Sequence, residues 1–205
     1  GDTRVLAVEG SLTLVNVDFT GGHSVTEQLN VTKPDDQPWT LARGGAVAVW
    51  GVASLQDCRF YDNHVEGDFD SSRDRGAFGG AVYADIVEMQ RCVVSGNSAL
   101  GGGAAGGGIY SVGGAGNSRT QSTIDQSAVS GNAIRGLFAY GAGIYSDGGG
   151  IGKSNTLRVT NTTVARNLAE PSANLPPFLL AMGYWRGGGL YMSNGYLQLQ
   201  GVTVV

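Results

Sequence analysis

The sequence predicts an all-β fold, a parallel β-solenoid of about six coils with long loop insertions. Three observations carry that reading. The chain aligns on itself, with LVNVDFTGGH from Leu14 matched by LQDCRFYDNH from Leu55 and MQRCVVSGNS from Met89. The same unit continues as IDQSAVSGNA from Ile124, VTNTTVARNL from Val159 and LQGVTVV from Leu199. The aligned strands are short, alternating and rich in β-branched residues, with no helical apolar period. Glycine pairs and asparagines recur at fixed places in the unit, as the corners of a repeating coil require.

Each column of the alignment has its own reason. Leu14, Leu55, Met89, Ile124, Val159 and Leu199 form an inward apolar column, and Phe19, Phe60, Val94, Val129, Val164 and Val204 a second. Val47, Val82, Ile109, Ile144 and Leu190 form a third, each after a glycine-rich pair. Asn63, Asn97, Asn132 and Asn167 follow at steps of 34, 35 and 35. Stacked inward asparagines bond their side-chain amides to the coils above and below, which pairs polar groups that would otherwise be buried unsatisfied. At the parallel-strand spacing of ~4.8 Å the rod would be roughly 25–30 Å long.

GGAV at Gly44–Val47 followed by FYDN at Phe60–Asn63 resembles the paired GGA-[ILV] and FxxN motifs of the polymorphic outer-membrane protein repeat. Later copies diverge, to GGGI at Gly106–Ile109, GAGI at Gly141–Ile144 and GGGL at Gly187–Leu190. The resemblance implies a right-handed parallel β-helix and a surface role, structural or adhesive, although a fold does not set a function.

In chain order, Arg4–Phe19 is the first coil: shifted by 41, Leu6 matches Val47 and Phe19 matches Phe60. Residues 1–205 read as a single β-helix segment, expected to belong to a longer chain, because neither end carries a cap and an open solenoid end is a template for another strand. Five insertions interrupt the coils. Ser24–Ala42 is expected to leave the helix as a loop, and Asn30 in it heads an N-glycosylation sequon. Glu66–Arg75 holds Asp68, Asp70 and Asp74, whose alternation resembles a calcium loop but lacks its sixth-position glycine and closing glutamate, so a solvated loop is preferred. Val112–Ser122 and Asp147–Asn155 are glycine-rich protrusions, with no helix start behind them to bind phosphate. Glu170–Arg186 is apolar, with Phe178, Leu179, Leu180, Tyr184 and Trp185 either folded back over the solenoid or contacting a subunit. A second sequon begins at Asn161, read as outward on a strand.

Three further columns bear on chemistry. Tyr83, Tyr110, Tyr145 and Tyr191, placed outward by strand alternation, form a candidate interaction stripe, against a purely stabilising stack. Cys58 and Cys92 share an inward column and read as free thiols serving as small hydrophobes. His23 and His64 share another column, with no third metal ligand evident, and read as turn residues.

Composition narrows the function classes. The formal charge of −4 comes without a basic stripe, which argues against nucleic acid. No run approaches the ~20 apolar residues of a membrane span. Outward acids are scattered, with Asp57, Arg91 and Asp125 the nearest to a set, so no catalytic residues and no required cofactor are assigned, calcium being the alternative. The expected function is an extracellular or cell-surface structural or adhesive β-helix acting through outward loops and lateral or end-on contacts. Its expected partners are other subunits or a continuation of the same chain at both ends, and glycans. The alternative is a carbohydrate-active β-helix, a polysaccharide lyase or a sugar-binding module.

Overall fold

The computed structural model describes residues 5–25, 27–29, 39–67, 76–113, 120–148, 155–172 and 183–205. Among them the chain is all-β, without a helix, and strand pairing is parallel except for one antiparallel pair, Glu27–Leu29 with Trp39–Arg43. The strands fall into four sheets: a first and largest of ten strands that includes Val47–Gln56, a second of six that includes Arg59–Tyr61, a third of five that includes His64–Glu66, and a fourth of six that includes Trp39–Arg43.

Each repeat visits the sheets in the same order, and each strand pairs with its equivalent in the next repeat. In the second repeat these strands are Trp39–Arg43, Val47–Gln56, Arg59–Tyr61 and His64–Glu66. The third follows with Gly76–Phe78, Val82–Gln90, Val93–Ser95 and Ser98–Leu100. The register matches the sequence columns residue for residue. Leu55 pairs with Leu14 on one side and Met89 on the other, and Phe60 with Phe19 and Val94. Val82 lies between Val47 and Ile109. These inward columns form the main core, in which Val47, Leu55, Phe60, Met89, Ile124 and Val159 are buried.

The corners explain the sequence signatures. Asn63 N–H and Nδ2 both donate to Asn97 Oδ1, at 3.0 and 2.9 Å, while Nδ2 also reaches the Phe19 carbonyl of the preceding repeat at 3.2 Å. Asn97 repeats this with Asn132 and Phe60, and Asn132 with Asn167 and Val94. Each asparagine thus ties its own repeat to the one on either side. At the opposite corner Gly79 turns with φ +69°, and a Cβ on Gly80 would stand 1.9 Å from the Gly107 carbonyl oxygen. The first glycine of the pair is required by conformation and the second by the close approach of the next repeat.

The insertions differ from expectation at their ends. Ser24–Ala42 is not simply a loop: Ser24 is buried in the strand His23–Val25, and Ala42 is a core residue of Trp39–Arg43. Both ends are needed because the third and fourth sheets draw strands from them. Likewise Tyr184 and Trp185 belong to the strand Tyr184–Arg186, paired with Phe138–Tyr140, and Trp185 Nε1 donates to the Gly136 carbonyl at 3.0 Å. Asn30, Asp68, Asp70, Asp74, Phe178, Leu179 and Leu180 lie outside the described residues.

Replacing Asn97 with Ala leaves the Asn63 N–H and the Phe60 carbonyl without their partners in the interior. Urea unfolding of Asn97→Ala should show a loss of about 3 kcal/mol. A change within ~0.5 kcal/mol, the scale of an ordinary surface substitution, would mean that the ladder does not hold the repeats together.

Candidate functional site

The tyrosine column is a continuous stack. Ring centroids are 5.4 Å apart for Tyr83–Tyr110, 4.8 Å for Tyr110–Tyr145 and 5.7 Å for Tyr145–Tyr191, all near parallel. It is not an open stripe at its centre. Phe78 packs on Tyr110 at 4.9 Å, Tyr140 lies against both Tyr145 and Tyr191, and the Arg43 guanidinium lies 5.2 Å over Tyr83. Tyr83 is 7% exposed. Strand alternation does point these rings away from the core. Large side chains from the neighbouring fourth sheet then lean over them and form a second apolar layer. Burial raises the phenol pKa values of Tyr83, Tyr110 and Tyr145.

The column of Val17, Cys58, Cys92, Ser127, Thr162 and Val202 holds a second polar ladder. The Cys58 N–H donates to Cys92 Sγ at 3.3 Å, that of Cys92 to Ser127 Oγ at 3.1 Å, and that of Ser127 to Thr162 Oγ1 at 3.2 Å. Each of these side chains donates back to a carbonyl two residues earlier, as Ser127 Oγ does to Asp125 at 2.7 Å. The cysteines are free and buried among the core hydrophobes, and their sulfurs take part in hydrogen bonds as well. Burial pushes the Cys92 thiol up to about 11, which keeps it protonated and unreactive at neutral pH.

The outer face of the large sheet carries the accessible polar groups. A groove of about 340 Å³ is lined by Thr13, Ser54, Gln56, Glu88, Gln90 and Asp125, among others. A second, of about 410 Å³, is bordered by Asp125, Arg158, Thr160, Asn161 and Gln200. Ser54 Oγ donates to Glu88 at 2.7 Å, and Thr160 Oγ1 to Asp125 at 2.5 Å. The Thr160 hydroxyl, and then the Asn161 amide, hold the Asp125 carboxyl below its ordinary range. Asp125 is therefore an ionised acceptor at neutral pH and not a proton donor. Asp57 is bound by Arg91 through contacts of 2.7 and 2.8 Å, which lowers its pKa, so that pair is an exposed clamp between repeats. Asn161 is exposed, in a left-handed bend with φ 48° rather than on a strand, because the corner between the sheets falls there.

No helix among the described residues is long and apolar enough to cross a membrane. Comparison of the chain with family models, with curated proteins and with solved structures finds no match.

Alkaline titration reads the tyrosine stack directly. A phenol whose pKa is raised by folding favours the native state up to the ordinary value of 10.0, and that contribution is lost as the pH rises beyond it. The phenolate absorbance of the eight tyrosines should rise in two steps, the later one coinciding with unfolding. A single step near the ordinary value, with the fold intact, would contradict the packing described.

Proposed function

We propose that this chain is a segment of a right-handed parallel β-helix in which each repeat is one coil. We further propose that it serves an extracellular or cell-surface structural or adhesive role, in keeping with its likeness to the polymorphic outer-membrane protein repeat. Its partners, on this reading, are strands of other subunits or of further coils, joined end-on, with lateral contacts from the outward loops.

The observation that supports this reading is an apolar edge at one face of the stack. Leu197, Leu199 and Val204 stand in columns that are buried one repeat earlier, at Leu157, Val159 and Val164, yet they are 42%, 48% and 50% exposed. Tyr196 beside them is 65% exposed. Among the described residues no strand pairs with the far side of this parallel edge, and its aliphatic inward side is suited to a strand of like pattern, because the hydrogen-bonding groups and the apolar column are both already in place. The interior supports the same reading, since ladders and aliphatic columns occupy it.

Sedimentation velocity tests the reading. The 205-residue chain should associate with rising concentration, and Leu199→Lys should abolish that association while leaving the circular dichroism unchanged. A strictly monomeric wild-type chain would remove the end-on contact from the account.

The polar grooves over Glu88 and Asp125 favour a second reading, a sugar-binding module. Carboxylates and amides lie on adjacent repeats there, spaced to accept hydroxyls along a chain. On that reading neutral oligosaccharides would bind without being cleaved, and Asp125→Ala would weaken their binding in calorimetry.

A further inference from the structure

Two histidines that are far apart in sequence meet on the third sheet. His23 and His64 are direct register partners on the neighbouring strands His23–Val25 and His64–Glu66. They are therefore strand residues and not turn residues. Their rings lie 5.1 Å apart. Strand alternation brings Glu66, two residues beyond His64, to the same face. Its Oε2 is 3.7 Å from His23 Nε2, and the ligand atoms of all three side chains lie within 4.8 Å of one another.

Two details separate this cluster from an ordinary surface group. His23 Nε2 is buried and has no hydrogen-bond partner, although it faces an imidazole and a carboxylate. A buried polar nitrogen left in that state needs an explanation. His64 Nδ1 is 2.7 Å from Ser98 Oγ, on the strand of the following repeat. A hydrogen bond to one ring nitrogen is how metal-ligating imidazoles are oriented, and it leaves the other nitrogen for an ion.

We propose that His23, His64 and Glu66 bind one divalent transition-metal ion of the zinc class, and that the ion clamps the first repeat to the second. Bond lengths of about 2.0–2.2 Å around zinc put neighbouring ligand atoms roughly 3.3 Å apart. The widest separation, 4.8 Å at most, needs to close by up to about 1.5 Å to reach that spacing. The His23 and Glu66 side chains are 35% and 48% exposed, so they have room to move. Two imidazoles and one carboxylate suit zinc and its neighbours in the first transition row. Calcium and magnesium prefer sets built from oxygen alone. Three protein ligands leave the fourth tetrahedral position to water or to a donor from another molecule. The column continues as Ser98, Ala133 and Leu168, so the site arises once, between these two repeats. It falls where a tie is useful, because Leu6, Leu12 and Leu14 of the first repeat are only partly buried.

The test is calorimetric titration of the metal-stripped protein with zinc chloride at neutral pH, alongside thermal unfolding with and without zinc. The wild-type chain should bind one zinc and melt at a higher temperature when loaded. Glu66→Gln and His23→Gln, which alter one exposed and one half-buried side chain, should keep the metal-free circular dichroism and lose at least ~10-fold in affinity. Ser98→Ala, which removes no ligand, should lose about 10-fold through the freed imidazole. Cobalt in place of zinc should give the visible absorption of a four- or five-coordinate ion. The proposal fails if zinc does not saturate at one per chain, if both glutamine variants bind as the wild type does, or if calcium at equal concentration displaces the zinc.

Discussion

The structure depends on one constraint: a polar group buried at a corner must find its partner in the next repeat. The asparagine column meets it by placing Asn63, Asn97, Asn132 and Asn167 so that each carboxamide oxygen accepts from the repeat before it. That bond fixes the register. A slip of one residue along any strand would turn every inward side chain outward and leave the corner amides unpaired. Once the register is fixed, like must stack on like, and the aliphatic columns and the phenylalanine pair follow. Phe19 and Phe60 lie 5.1 Å apart and almost parallel for this reason. The cysteine, serine and threonine column applies the same device at a second corner, with a γ-atom in place of a carboxamide.

A fold held in this way commits its interior to structure and leaves function to its surfaces. Three surfaces differ in chemistry. The tyrosine side is partly covered: Tyr83 is buried, and Phe78 and Tyr140 lean on Tyr110, Tyr145 and Tyr191, which stay partly exposed. The outer face of the large sheet is polar and open, with carboxylates already hydrogen-bonded to neighbouring hydroxyls. The end of the stack at Leu197, Leu199 and Val204 is apolar, and its strand edge has no partner strand among the described residues. The proposed structural or adhesive role rests on the last of these and the sugar-binding reading on the second.

Much of this architecture is legible in the sequence, because a stacked repeat enforces the same demand at the same position each time. The columns headed by Leu14, Phe19 and Asn63 are the register partners of the structure. What escapes has a physical cause in each case. The fourth sheet is lined by Ala42, Ala77, Ala104 and Ala139, on strands of three to five residues amid glycines. Alanine gives almost no alternation signal there, and the stretch reads as loop. The column of Cys58, Cys92, Ser127 and Thr162 has no hydrophobic signature, because the property its members share is a hydrogen-bonding γ-atom. Alternation puts the tyrosines on the outward side of their strands, yet it carries no information about what a neighbouring sheet lays over them. Glu66 is two residues from His64, but it joins His23 only once the strands are paired.

Amide hydrogen exchange, resolved to single residues by NMR, tests the central claim most directly. The N–H of Asn97, which donates to Asn132 Oδ1 inside the stack, should exchange only through global unfolding, as slowly as the core strand residue Val94. The N–H groups of Asn63 and Asn132, bonded in the same way, should behave alike. Exchange at these corners orders of magnitude faster than in the core strands would show that the ladder opens independently, and the register would then have to be held by the apolar columns alone.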